Sequence, residues 1–145
     1  MDEFELRTAG APGRDPEVEI RSRRTAFQLY RGDYLAEALY DPWTLEERER
    51  LLARHLASTA TLARLLIDRG EFDEAIDLCE HIIRRDRGYE EAYQMLMRAY
   101  ARSGSRSQAL RAYARCVQAM QDELGMEPLP ETTELCERIK RNEPV

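Results

Sequence analysis

The stretches GEFDEAIDLCEHII, residues 70–83, and GSRSQALRAYARCV, residues 104–117, decide the fold, because the second repeats the pattern of the first after 34 residues. Each begins with a glycine and has an alanine five positions later. A glycine accepts the positive φ that ends one helix and turns the chain, and an alanine lets two paired helices approach closely. The pattern therefore predicts a helix after each turn, packed tightly against the helix before it.

The same offset extends outward from these two stretches and predicts two clear helix pairs, at 56–89 and 90–123. Thirty-four residues is the tetratricopeptide period, in which stacked helix pairs bury a continuous core. A third, weaker copy lies upstream, where GDY at Gly32 corresponds to GEF at an offset of 38 residues, with the extra residues around DPW and Trp43. The pairs that share the 34-residue offset are Gly70 with Gly104, Ala75 with Ala109, and Leu62 with Leu96.

The segment ELGMEPLPET, residues 123–132, interrupts the helical pattern. Gly125 suits a left-handed helix stop, and Pro128 with the following proline favours an extended crossing before a new helix. A repeat array must cover the apolar side of its last repeat. We therefore predict a capping helix at 131–141.

The composition indicates one all-α domain, 1–145, with a short N-terminal helix followed by a loop at 9–16 that is rich in glycine and proline. Of the 145 residues 43% are hydrophobic and 34% charged, and the net charge of −6 argues against direct nucleic-acid binding by this segment. Three widely spaced cysteines indicate no disulfide framework. The cysteines fit a reducing cytoplasm best, and no apolar run is long enough to span a membrane.

These features together resemble the bacterial transcriptional activator domain, the helical module of transcription regulators of the antibiotic regulatory protein type. The resemblance covers nearly the whole chain, and ELGMEPLPET is its most specific part. The other stretches that carry it are DEF at 2–4, LYRGDYL at 29–35, Trp43 with Arg48, GEFDEAI, EEAYQMLMRAYARSG and QALRAYARC.

The resemblance implies a right-handed, tetratricopeptide-like array of about three helix pairs that serves as an effector and interaction domain. In the commonest architecture of the family, a winged-helix DNA-binding domain precedes this module, and that domain is not in this sequence. The expected function is therefore noncatalytic: the chain, as a fragment of a regulator, holds adjacent domains, a second copy of itself in a possible homodimer, or the transcription machinery.

The candidate partner groove follows from the tetratricopeptide register, in which the first helix of each pair lines the concave side. Arg64 and Arg98 stand at equivalent positions, 34 residues apart, and a guanidinium offers a planar fork to a carboxylate. The hypothesis is an arginine clamp for an acidic segment, and the alternative is a solvated helix face whose ion pairs contribute little. The candidate groove residues are Arg64, Ile67, Gln94, Arg98 and Arg102.

We expect no catalytic residues, no metal site and no cofactor. The sequence has no glycine-rich phosphate loop, nucleophile elbow or HExxH motif. Two functions stay open beside each other: the regulator domain, and a free-standing tetratricopeptide adaptor that binds a peptide in its groove. The period alone fits both.

Overall fold

The structure is a computed structural model that describes residues 15–31 and 44–145, and these residues form six α-helices and no strand. The expected all-α class is confirmed. Several predicted features lie outside the described residues: the short N-terminal helix at 2–8, most of the loop at 9–16, Gly32 and Trp43. The helices are Pro16–Arg31 (α1), Leu45–Asp68 (α2), Phe72–Arg85 (α3), Glu90–Arg102 (α4), Arg106–Leu124 (α5) and Pro130–Lys140 (α6).

The chain divides after Leu65 into two compact units. In the first unit, α1 packs against the larger part of α2. The Tyr30 ring stacks on His55 with 3.8 Å between ring centroids, beside a small core that includes Ala26 and Leu51. The start of α2 has an N-cap, since the Glu47 backbone N–H donates to the Thr44 hydroxyl over 3.1 Å.

The second unit contains α3 to α6, and α4 lies at its centre in contact with α3, α5 and α6. Ala75 on α3 and Ala109 on α5 are both fully buried, as the repeat pattern predicts. On α6, Leu135 and Ile139 are buried as well, which agrees with the expected capping role of that helix.

The turns before α3 and α5 share an equivalent hydrogen bond, shifted by 34 residues. The Glu71 N–H donates to the Leu66 carbonyl over 2.9 Å, and the Ser105 N–H donates to the Tyr100 carbonyl over 2.8 Å. Between these donors and acceptors lie Gly70 and Gly104, with φ of 81° and 89°, a backbone conformation that costs a residue with a Cβ about 1–2 kcal/mol. The sequence period is thus also a period of backbone geometry.

Three details differ from the sequence-based expectations. The capping helix begins one residue early, at Pro130, because proline suits the first position of a helix. The helical period of the sequence places Leu45 and Val117 on apolar helix faces, yet they are 72% and 39% exposed. Leu45 starts its helix, and Val117 belongs to the repeat that is followed in the described residues by the single helix α6.

Candidate interaction surface

The five candidate groove residues lie on α2 and α4, in different environments. Arg64 belongs to the first unit and is exposed. In the second unit Ile67 is buried with 4% of its surface exposed, and Arg98 is half-buried. Two of the five, Gln94 and Arg102, make contacts with the C-terminal part of the chain that the sequence did not suggest.

The Arg102 guanidinium connects two parts of the second unit. One Nη donates to the backbone oxygen of Val145 over 2.7 Å, and the other lies 3.8 Å from a carboxylate oxygen of Asp68. Both groups of the ion pair are exposed, so the pair contributes at most about 1 kcal/mol.

Gln94 takes part in a polar network that docks α6 on α4. Its Nε2 donates to the Thr132 hydroxyl over 2.8 Å, and that hydroxyl donates to a carboxylate oxygen of Glu90. The same oxygen accepts the Leu129 backbone N–H over 2.8 Å. Glu90 therefore serves as a cap for the first turn of α6, where free N–H groups need acceptors.

Thr132 is the residue of this network that sequence reasoning missed. Its surface is 0% exposed, although it lies in the first turn of a short helix between exposed Glu131 and Thr133. The available signal was a threonine directly after PLPE and shortly before the apolar Leu135. When such a threonine is buried, its hydroxyl requires hydrogen-bond partners.

A cleft of about 470 Å³ opens beside Arg102, at the C-terminal end of α6. Arg106 donates to the Lys140 backbone oxygen over 2.7 Å and so satisfies one of the free carbonyls at the end of α6. The cleft walls are formed by Ala101, Arg102, Arg106, Ile139 and the segment from Asn142 to Val145.

The cysteine thiols offer no nucleophile. Burial raises the pKa of both Cys79 and Cys116 to about 12, and burial also raises the pKa of Cys136. All three thiols are therefore protonated near neutral pH, and a protonated thiol neither attacks nor binds metal well. In residues 15–31 and 44–145, no three His, Cys, Asp or Glu side chains are grouped to hold a metal ion.

The helices define an all-helical, tetratricopeptide-like domain. The chain belongs to the bacterial transcriptional activator domain family, whose model matches residues 3–140. The resemblance seen in the sequence is thereby confirmed. No helix in the described part of the chain is long and apolar enough to cross a membrane.

Two curated relatives are regulatory proteins of Streptomyces. The chain is 31% identical over 121 residues to the regulatory protein AfsR of Streptomyces coelicolor, and 33% identical over 113 residues to AfsR of Streptomyces griseus. These matches cover 83% and 78% of this chain but only 12% of each relative. The chain thus corresponds to a small part of their length.

A similar solved structure is that of Mycobacterium tuberculosis EmbR in complex with a low-affinity phosphopeptide. It matches 99% of this chain and 37% of the EmbR chain, with a TM-score of 0.77 and 25% sequence identity. This similarity confirms the tetratricopeptide-like fold.

Proposed function

We propose that this chain is a noncatalytic effector domain of a bacterial transcription regulator and acts by holding protein partners. The observation that carries the proposal is the family match over residues 3–140, together with the two relatives that are named regulatory proteins. EmbR was solved with a peptide bound, which supports protein segments as the class of partner.

The DNA-binding function belongs, in this proposal, to a domain outside these 145 residues. The chain carries a net charge of −6, which repels the phosphate backbone of DNA, and it corresponds to 12% of the length of AfsR. The domain works in the cytoplasm, where bacterial transcription takes place.

The partner-binding residues that we propose are Arg64 on α2, in the first unit, and Arg98 with Arg102 on α4, in the second unit. Arg64 and Arg102 are exposed, and Arg98 lies one turn before Arg102 on α4. Guanidinium groups recognise carboxylates through paired, charge-assisted hydrogen bonds, so the favoured partner is an acidic protein segment. Noncatalytic action is supported by the protonated, buried thiols of Cys79 and Cys116.

A reporter assay tests both parts of the proposal. The chain is fused to an unrelated DNA-binding domain, and transcription from a promoter that carries the cognate site is measured in bacteria. We expect activation above that of the DNA-binding domain alone, and a loss of most of it in the double variant Arg64→Glu, Arg98→Glu. The matched control is Arg84→Glu, an exposed arginine on α3, outside the proposed surface.

Two outcomes would contradict the proposal. Absence of activation, with the fusion folded and bound to its site, would reject the effector function and favour the free-standing adaptor. Equal activation by the double variant and by Arg84→Glu would reject Arg64 and Arg98 as partner-binding residues. Capture of an acidic peptide by the purified chain, measured by calorimetry with the same variants, separates adaptor binding from transcriptional activity.

A further inference from the structure

The segment 142–145, which follows α6, begins with a turn that reverses the chain. Asn142 has a φ of 59°, the left-handed conformation in which many helices end. Its N–H donates to the Ile139 carbonyl over 3.0 Å, and the Glu143 N–H donates to the Arg138 carbonyl over 2.9 Å. These two bonds form a Schellman turn, which fixes the direction of the residues that follow.

Two arginines at the end of α6 hold the segment after this turn. Arg138 donates to the backbone oxygen of Pro144, and its Nε lies 3.7 Å from a carboxylate oxygen of Glu143. Arg141 donates to both carboxylate oxygens of Glu143, over 3.1 and 3.2 Å. The backbone and the carboxylate of the segment are therefore both engaged on the side of α6.

The segment also reaches Arg102 on α4, which is one of the proposed partner-binding residues. An Nη atom of Arg102 donates to the Val145 backbone oxygen over 2.7 Å. Pro144 and Val145 form part of the wall of the cleft that Arg102 lines, and the Arg102 side chain is 36% exposed. The segment therefore covers Arg102 in part and engages one arm of its guanidinium.

We propose that residues 142–145 form a strap that competes with an acidic partner for Arg102. A carboxylate that binds a guanidinium bidentately needs two neighbouring N–H groups. One of the two Nη atoms of Arg102 already donates to Val145, so the strap and the partner use the same arm of the fork. Drawing the strap away from Arg102 therefore strengthens the binding of the partner.

This inference rests on the proposed function, because Arg102 is one of its partner-binding residues. It adds regulation of that site by a segment of the same chain. Asn142 is the hinge of the strap, since its left-handed conformation sets the direction of the three residues after it.

The contact between the strap and Arg102 is tested by a substitution at the hinge, in the 145-residue chain. Asn142→Val disfavours the left-handed conformation, because its branched Cβ clashes there, whereas the matched control Asn142→Gly accepts it. Phenylglyoxal, which modifies exposed guanidinium groups, should react with Arg102 at least about twofold faster in Asn142→Val than in the wild type or in Asn142→Gly. Mass spectrometry measures the rate, and exposed Arg84 on α3 is the internal control.

The competition is tested with a fluorescently labelled hexaglutamate peptide and measured by anisotropy. Asn142→Val should bind the peptide about threefold more tightly than the wild type, and Asn142→Gly should bind it as the wild type does. In chains that also carry Arg102→Gln, the gain from Asn142→Val should nearly vanish, because the strap and the peptide no longer share a guanidinium. A gain of the same size without Arg102 would overturn the competition.

The two assays separate failure of the strap from failure of the proposed function. Equal reactivity of Arg102 in all variants would overturn the strap and leave the partner-binding residues untouched. Faster reaction of Arg102 with unchanged peptide affinity would overturn the regulation. Faster reaction of Arg102 without peptide binding by any variant would reject the acidic partner itself, and the regulation with it.

Discussion

The junction between α3 and α4 and the junction between α5 and α6 start from equivalent sequence positions and end differently. Ile83 on α3 and Val117 on α5 are 34 residues apart and share one register, yet Ile83 is 8% exposed and Val117 39%. After α3 comes another full helix pair, whereas after α5 comes the single, shorter helix α6. The period thus determines which side of a helix is apolar, and the following element determines whether that side is covered.

The terminal junction compensates for its smaller cover in two ways. Leu135 and Ile139 bury an apolar side of α6 within the second unit. In addition, Glu90, Gln94 and Thr132 join α4 to α6 through side-chain hydrogen bonds. The internal junction relies on a tighter turn, in which the Tyr93 hydroxyl donates to the Arg87 backbone oxygen over 2.9 Å.

The largest effect is expected from Leu135→Asp, which tests whether α6 is a true cap. Leu135 is 4% exposed, so the substitution removes a buried side chain and introduces a carboxylate that must remain solvated. We expect a loss of at least about 3 kcal/mol in the free energy of unfolding. Urea unfolding followed by circular dichroism measures the loss.

Leu124→Asp is the matched control for this substitution, because Leu124 is 55% exposed on the neighbouring helix. Its loss should be below about 1 kcal/mol, mostly from the unfavourable helix dipole. Similar losses for the two leucines would show that α6 does not cover the last repeat.

The comparison of the two junctions is tested directly by Ile83→Ala and Val117→Ala. Removing the buried isoleucine side chain should cost about 2–4 kcal/mol. Val117→Ala removes a partly exposed side chain and should cost less than about 1 kcal/mol. The same unfolding experiment, at a concentration where the chain is monomeric, measures both, and equal costs would contradict the difference in cover.

The repeat and its turns were predictable from sequence because they depend on local rules. Gly70 and Gly104 mark turns with equivalent hydrogen bonds from Glu71 and Ser105, and Ala75 and Ala109 are buried where helices approach closely. Helix periodicity and the glycine requirement operate within a few residues. The family resemblance rests on the same local motifs, above all on the stretch from residue 123 to 132.

The candidate groove was less predictable, because its environment depends on contacts between distant residues. Thr132 lies 38 residues from Gln94 and 42 residues from Glu90, and no periodic pattern indicates that these three side chains meet. The contact between Arg102 and the Val145 backbone oxygen is likewise set by where α6 leads the chain. The arginine clamp therefore stays a prediction, and Trp43 lies outside the described residues.

A smaller effect is expected from Thr132→Val, which tests the polar part of the terminal junction. Valine has nearly the shape of threonine but leaves Glu90 and Gln94 without the hydroxyl that bonds to both. We expect a loss of about 1–3 kcal/mol in the free energy of unfolding. The control Thr133→Val, an exposed position next to it on α6, should change stability by less than about 0.5 kcal/mol.

The smallest effect concerns the ion pair that links the two repeats, Glu80 on α3 with Arg115 on α5. The hydrogen bond from the Arg115 guanidinium lowers the pKa of the Glu80 carboxyl below its usual 4.5. A carboxyl whose pKa is lowered by folding contributes its stability above the unfolded pKa and loses it as the pH falls through the folded value. Because both side chains are partly exposed, the contribution at neutral pH should be below about 1 kcal/mol.

Glu80→Gln should therefore lower the free energy of unfolding slightly at neutral pH and leave it nearly unchanged in acid below the folded pKa, where the wild-type carboxyl is protonated as well. Urea unfolding from about pH 7 down to about pH 3 measures this convergence. Asp77→Asn, an exposed acidic residue on the same helix, controls for the loss of one negative charge. If Glu80→Gln and Asp77→Asn changed the free energy of unfolding in the same way at every pH, the effect would come from the loss of one negative charge and not from the Glu80–Arg115 pair. A difference confined to neutral pH would show that the internal and terminal repeats are joined by a specific ion pair as well as by their apolar sides.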